Sequence, residues 1–436
     1  MTRVFTLADG CGMMTAEVTV TGRPAGGSGT VGGMAAARPP LIRALNEQLL
    51  LGHIRRLGQC SRADLARLSG LSKPTVSLAL AAVERAGLIR VAGQQTGRPG
   101  RSAQLYEVHP GAGFVLGLDV GAQYVRAGVA DLAGTVRARG AARLHASSVR
   151  GRISELIRLA DGLCAEAGVD RAAITQTVLG SPGVYDRGRD AMALTGRPPG
   201  WERPEIMTWL REEFGGTLII ENDINAAALA EQADGHGREA GSFAFVSVGT
   251  GIGMGLVVGG QLVRGAHGVA GEIAYVPMTG GHGTEPEPGT GARSSAAGWR
   301  GALEDASSAA AVVRSARRAG LRGQVSARSV FQAAARGDDR ATLVVADEAQ
   351  LVARMLCTVI SVIDPELIVL GGGIGQAPGF ADAVIAELSP MAPALPDVRV
   401  SALGTEAVVD GCLAAATELA WARLTVDLPA AASAAG

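Results

Sequence analysis

The run Gly113-Phe114-Val115-Leu116-Gly117-Leu118-Asp119-Val120-Gly121-Ala122-Gln123-Tyr124-Val125-Arg126-Ala127-Gly128-Val129-Ala130-Asp131 decides how the larger part of this chain folds. Two apolar stretches flank a short polar break, which predicts a strand, a tight turn and a returning strand, with a turn able to hold phosphate. A second hairpin is expected downstream, where Phe243–Val248 and Met254–Val258 flank Gly249-Thr250-Gly251-Ile252-Gly253. Glycines at 249, 251 and 253 let backbone approach an anion closely, and they equally suit an ordinary hairpin turn. The run Gly371-Gly372-Gly373 after an apolar strand has the same two uses, with crevice binding at strand ends as the functional one.

Around these segments lies a chain of 436 residues, 62 of them Gly and 47% hydrophobic, long enough for two or three domains with real cores. Charged residues make up 19% and the net charge is −1, which excludes both a fully disordered chain and a uniformly basic one. The five cysteines are scattered without a close pair, so they predict neither a disulfide framework nor a metal site and suit a reducing cytoplasm. Glycines interrupt the most apolar stretch, Phe243 to Val258, so no membrane span is expected. The N-terminus lacks the apolar core and cleavage site of a secretory signal.

The small net charge hides an asymmetry. Residues 38–101 hold eleven basic side chains against three acidic ones, so the remainder of the chain is acidic. A cationic head attracts polyanions through counterion release, whereas an acidic body is repelled by them. Residues 1–37 are Gly-, Thr- and Ala-rich without periodicity and are expected to be a disordered extension, with Met34 a candidate start.

The head, residues 38–109, reads as a winged helix-turn-helix. Leu41, Ile42, Leu45, Leu49, Leu50, Ile54 and Leu57 recur at helical spacing before Gly58. Ser61 is placed to cap a second helix in a capping box with Asp64, its buried stripe being Leu65, Ala66 and Leu68 before Gly70. Ser72 caps a third, with Pro74 in its first turn, Val76, Leu80 and Val83 inward, and Gly87 as its stop. The second helix of such a motif enters the major groove with its N-terminal side chains at base edges. Ser72, Lys73, Thr75 and Ser77 are therefore the expected DNA-reading residues. Two short strands, Leu88–Val91 and Ala103–Val108, flank a Gly/Pro-rich loop, the wing, whose Arg98 and Arg101 are expected to reach phosphates or a narrow minor groove.

Several further segments carry a resemblance: Gly180-Ser181-Pro182-Gly183, Glu221-Asn222-Asp223-Ile224-Asn225, Gly249-Thr250-Gly251-Ile252-Gly253, Arg264 through Tyr275, and Ile363-Asp364-Pro365-Glu366 through Ile374. Together, in this order and behind a winged helix, they resemble the ROK family of repressors and sugar kinases over residues 38 to about 425. The resemblance implies an α/β, two-lobed, actin-like ATPase (ribonuclease H-like) fold for residues 110–425, followed by a flexible tail, 426–436. It implies sugar contacts from Asn222, Asp223, Glu272 and Glu304, and nucleotide contacts at Asp119, Gly121, Gly249, Thr250, Gly251, Gly253 and Gly372. In a kinase Asp223 would be the base that takes the hydroxyl proton. Asp223 or Asn222 also suits a simple helix N-cap after the strand Leu218-Ile219-Ile220, and both uses are compatible.

The chain departs from the family's kinases at telling places. Their first phosphate turn resembles Asp-Ile-Gly-Gly-Thr-Lys, where this chain has Asp119-Val120-Gly121-Ala122-Gln123-Tyr124. A Cβ at Ala122 and the lost hydroxyl crowd a phosphate, so the nucleotide site is read as degenerate. Family members place a His where this chain has Tyr275 and supply zinc-binding cysteines from a segment corresponding to Met278–Gly298, which contains no Cys. Without thiolates no structural zinc site is expected there, and His267 and His282 do not replace it. Arg197-Pro198-Pro199-Gly200-Trp201 lacks the family's Asn before Gly-Trp. A carboxylate-rich cleft suits a neutral sugar; a phosphosugar would need a cation such as Arg197 or Arg264.

The expected function is thus a cytoplasmic, sequence-specific transcriptional regulator, a repressor of carbohydrate-related genes. Its partners are a double-stranded DNA operator and a sugar or sugar-derivative effector, it acts as a homodimer or homotetramer without membrane, metal or other cofactor, and it is not expected to be an enzyme. The alternative is an ATP-dependent sugar kinase with a DNA-binding head.

Overall fold

A computed structural model describes residues 39–95, 103–194, 200–277 and 301–433. The chain divides into two compact units, Met1–Glu107 with Thr425–Gly436, and Val108–Leu424. Arg98, Arg101, Arg197, His282, the Met278–Gly298 segment and the 1–37 extension lie outside the described residues.

In the first unit, α1 (Pro39–Leu57), β1 (Cys60–Ser61), α2 (Arg62–Ser69), α3 (Lys73–Arg85), β2 (Ile89–Gln95) and β3 (Ala103–Val108) follow in order, with the strands arranged β1-β3-β2. Local chemistry dictates the breaks. The Ser61 hydroxyl accepts from the Asp64 N–H while the Asp64 carboxylate accepts from the Ser61 N–H, closing a capping box on α2. Gly70 then leaves α2 in the left-handed conformation, at φ 69°, which a side chain would resist. Ser72 caps α3 by accepting from the Thr75 N–H, with Pro74 in the first turn where its missing donor costs nothing.

Two expectations of burial need correction. On α1 the buried stripe is Ala44, Leu50, Leu51 and Ile54, whereas Ile42, Leu45, Leu49 and Leu57 are exposed. Apolar residues fill more than one row of this helix, and a 3.6-residue period cannot choose between rows. The inward row even contains Glu47, tolerated because Arg43 donates to its carboxylate at 2.9 Å. On α2 only Leu65 is buried, and Leu68 is exposed.

The second unit contains two sheets of the same strand order. The first runs β10-β7-β4-β5-β6 and is built from β4 (Phe114–Val120), β5 (Tyr124–Asp131), β6 (Val136–Arg143), α4 (Val149–Glu166), β7 (Ile174–Ser181), the small hairpin β8 (Val184–Asp186) and β9 (Ala191–Ala193), α5 (Glu205–Phe214) and β10 (Leu218–Asn222). After α6 (Asp223–Asp234), the second runs β13-β12-β11-β14-β15. Its elements are β11 (Phe243–Val248), β12 (Ile252–Val258), β13 (Gln261–Leu262), the helices α7 (Ala302–Ala306), α8 (Ala309–Arg318), α9 (Ala327–Ala335) and α10 (Asp339–Ile363), then β14 (Leu367–Gly371), α11 (Gly372–Gly375), α12 (Phe380–Leu388), β15 (Asp397–Val400) and α13 (Ala407–Ser433). In each sheet three antiparallel strands continue into two parallel ones. The α13 helix runs through Ser433, so residues 426–433, expected as a flexible tail, are helical: their alanines, with Leu428, favour helix despite Pro429.

Two helices hold the lobes in place, and glycines let them approach. A methyl on Gly411 of α13 would lie 1.7 Å from the Ala226 carbonyl oxygen of α6. On Gly255 of β12 it would lie 2.6 Å from the Ala228 Cβ and 2.8 Å from the Ile224 carbonyl oxygen. Helix α6 therefore leaves the end of β10 in the first lobe and lies directly on β12 of the second. Its start is fixed between the two sheets.

Candidate functional site

The first candidate site is the N-terminal turn of α3. Ser72 and Lys73 are exposed there, while Thr75 and Ser77 are half-buried. Sequence reasoning made Ser72 the cap and pointed Lys73, Thr75 and Ser77 outward; the Thr75 hydroxyl lies 2.8 Å from that of Ser72 and so joins the cap. Lys73 is the chain's sole lysine.

The second site is built where β10 ends. Asn222 is the N-cap of α6: its side-chain oxygen accepts from the Ile224 and Asn225 N–H groups at 2.9 and 3.0 Å, and its amide donates to the Gly183 carbonyl at 3.0 Å. The cap is thus Asn222 rather than Asp223. This leaves Asp223, the first helical residue, with one carboxylate oxygen accepting from the Ile224 N–H. Burial pushes its carboxyl up, opposed by those backbone donors.

Asp223 is close enough to two other carboxyls to disturb their titration. Burial pushes Asp119 to about 7, with Asp223 adding to the shift and Arg126 opposing it. Burial likewise pushes Glu272 to about 7, reinforced by Asp223 and Glu304. Glu304 stands in the first turn of α7, beside Gly251, where a methyl would come within 3.4 Å of its carboxylate. A close packing fixes that helix: a methyl on Gly301 would sit 1.9 Å from the Ala274 carbonyl oxygen. Asp119, Asp223, Glu272 and Glu304, from four separate elements, are thus linked as successive electrostatic neighbours, Asp223 acting on both Asp119 and Glu272, and Glu304 on Glu272. Glu348 of α10 accepts from the Ser307 hydroxyl at 2.6 Å and holds the α7–α8 junction.

Three side chains here have roles that sequence reasoning did not give them. Arg126 donates to Asp119 at 3.1 Å, approaches Glu406 at 3.8 Å and stacks over the Tyr124 ring at 5.8 Å. The signal was present, because a two-strand pairing closed at Gly121 sets Asp119 opposite Arg126. Arg264, considered as a phosphate partner, is committed to Glu221 at 2.6 Å, and the buried Glu221 also accepts from the Asn225 amide at 3.1 Å. Trp201 is fully buried and donates to the Ser181 hydroxyl at 2.6 Å, tying the Gly180–Gly183 turn to α5's side of the lobe.

The nucleotide-type turns adjoin one another at the carboxyl ends of β11 and β14. A Cβ on Gly249 would be 3.4 Å from the Gly373 nitrogen, and Gly372, at φ 77°, passes so near Val248 that a Cβ would be 2.4 Å from its carbonyl oxygen. Gly253 lies against Ile224, a packing use of that glycine. The Ala309 N–H donates to the Gly249 carbonyl at 2.7 Å, and beside Thr250 an open cavity of about 380 Å³ is lined by small side chains of α8 and the start of α9. The first turn fits a phosphate poorly. Its Gly121 N–H is spent on the Tyr124 carbonyl at 2.9 Å, and Arg126 already neutralises Asp119. Zinc fits no better: Tyr275 offers a phenol, which burial and the charges of Glu272 and Glu304 push up and so keep protonated. Among the described residues no three His, Cys, Asp or Glu side chains are grouped to hold a metal. Nor is any helix among them long and apolar enough to cross a membrane.

Paired five-stranded sheets of identical order, with glycine turns and carboxylates converging between them, define a two-lobed actin-like fold. The ROK family model matches residues 115–416, and the chain belongs to that family. It is 26% identical over 245 residues to the xylose repressor of Bacillus spizizenii, covering 56% of this chain and 63% of that protein. The ROK hexokinase from Thermus thermophilus shares 31% identity at a TM-score of 0.58, over 70% of this chain and 99% of its own. A ROK family transcriptional regulator, a homologue of the E. coli MLC protein, superposes at a TM-score of 0.71 over 89% of this chain and 99% of its own, with 20% identity, and so shares the fold.

Proposed function

We propose that this protein is a cytoplasmic, sequence-specific DNA-binding regulator, a repressor of carbohydrate-related genes that is controlled by a neutral sugar or sugar derivative bound in the acidic cleft. The observation that carries the reading is the pairing of a cationic helix-turn-helix, capped so that Lys73 stands exposed at the start of α3, with a set of neighbouring carboxyls, Asp119, Asp223, Glu272 and Glu304. Carboxylates accept hydroxyl protons in pairs, which suits a polyol and repels phosphate. The engagement of Arg264 by Glu221 takes up one of the two candidate cations for a phosphosugar. The xylose repressor and the regulator of the same fold support the assignment.

Regulation requires that the effector distinguish two arrangements of the protein. Asp119 and Asp223 belong to the first lobe and its exit helix, Glu272 and Glu304 to the second, so a sugar bridging them favours closure. A homodimer, or a homotetramer built from two such dimers, would convert that closure into a changed spacing of two heads on an inverted repeat. Lys73, Ser72, Thr75 and Ser77 would lie at the major groove and Arg98 and Arg101 at the backbone or minor groove. Footprinting of the purified protein on genomic fragments, repeated with a panel of monosaccharides, tests the proposal: protected sites that respond to one sugar support it.

A sugar kinase is the second reading, favoured by the cavity beside Thr250 and by an Asp223 carboxyl poised to take a hydroxyl proton. The spent Gly121 N–H and the Arg126–Asp119 pair oppose it. Sugar-dependent ADP release at ordinary kinase rates would establish it; the regulator reading expects none.

A further inference from the structure

The outward face of α3 is apolar at its centre, where a merely solvated helix would carry charge. At about 100° per residue, Val76, Ala79, Leu80 and Val83 turn one face into the core, and the opposite face carries Pro74, Leu78, Ala81 and Arg85. Leu78 is 72% exposed, more than any other leucine among the described residues. Lys73 and Ser77 flank this row on one side and Thr75 and Ala82 on the other. The helix is thirteen residues long and Leu78 sits in its second turn, within reach of a groove that its N-terminus enters.

We infer that Leu78 is a specificity-determining residue that packs against the C5-methyl group of an operator thymine. This rests on the DNA-binding reading above. The commitment to duplex DNA follows from charge: the segment that carries α3 has eleven basic side chains against three acidic ones, which favours a polyanion over a second copy of the same cationic surface. Phosphates offer an isobutyl group nothing, and contacts to sugars carry no sequence information. On the major-groove edge of a base pair the one apolar feature is the thymine methyl. A leucine held there rejects cytosine, whose amino group it cannot satisfy, and prefers thymine at one position of each half-site, while Ser72, Lys73 and Ser77 supply polar contacts around it.

The test uses the full-length protein and its own tightest duplexes, selected from a random library. Each thymine is replaced singly by deoxyuridine, which removes the methyl and keeps the pairing. Wild type should lose about fourfold in affinity at the contacted thymine, the value of one buried methyl. Leu78→Ala should bind thymine and uracil duplexes alike at that position and keep wild-type sensitivity elsewhere. Insensitivity of the wild type to every replacement, or the same sensitivity in Leu78→Ala, overturns the inference while leaving DNA binding intact. A change of sedimentation mass in Leu78→Ala with no change in thymine preference would instead give the residue to a protein contact and also overturn it. Failure to select any duplex refutes this inference together with the regulator reading.

Discussion

The carboxyl of Glu348 is an informative single group to alter, because it is buried and accepts from the Ser307 hydroxyl at the α7–α8 junction. Burial pushes it from 4.5 in an open chain to about 7, with the Ser307 hydroxyl opposing that shift. The folded state therefore holds this proton more tightly than the unfolded chain does. Between 4.5 and 7 the native protein binds more protons than the unfolded one, so stability falls as pH rises through that window. A gap of this size corresponds to about 3 kcal/mol once the group is fully ionised, and most of it is expressed between pH 5 and pH 8. Glu348→Gln keeps the shape and an acceptor for Ser307 and removes the titration. Its amide introduces an offset that does not vary with pH, and Asp119 and Glu272 titrate in both proteins. In urea unfolding followed by circular dichroism, the stability of Glu348→Gln relative to wild type should thus grow by about 2 to 3 kcal/mol from pH 5 to pH 8. A difference that stays constant over this range would refute the reasoning.

Other outcomes follow from the same structure. Binding of a screened neutral sugar should strengthen about tenfold from pH 6 to pH 8 for each carboxyl that must be ionised to bind, as Glu272 gives up its proton near 7 and becomes a stronger, charged acceptor, and Glu272→Gln should remove its share of that profile in calorimetry. Lys73→Ala should weaken duplex binding and lower the slope of log affinity against log salt by about one; since Lys73 is the sole lysine, amine acetylation read by mass spectrometry should also find it protected in the complex. Gly411→Ala should cost about 3 kcal/mol, seen as a lower thermal midpoint, because its methyl would collide with the Ala226 carbonyl oxygen and displace the helix that starts at Asp223.

Much of the architecture was legible because it rests on local rules. Ser61 with Asp64, Gly70, and Ser72 with Pro74 each announce a helix end through a specific unpaired backbone group, and the hairpins around Gly121 and Gly249 announce themselves through composition. What stayed hidden depends on which of several chemically similar options the tertiary structure selects. Ile42 and Leu45 looked as inward as Leu50, and only packing decides between rows. Asn222 and Asp223 both suited the cap, and the Gly183 carbonyl tips the choice by engaging the Asn222 amide. The role of Arg264 reversed for a similar reason: its partner Glu221 lies 43 positions away in the chain. Arg126 was the avoidable omission, since strand register alone sets it opposite Asp119.

The account depends on one molecule both holding DNA and answering to a carbohydrate. The most direct measurement is the affinity of the purified full-length protein for its selected duplex, titrated with each monosaccharide of a panel at fixed low salt. The account predicts tight retention and a change in affinity with at least one sugar. Absence of duplex binding even at low salt, or binding indifferent to every sugar that occupies the cleft, would contradict it.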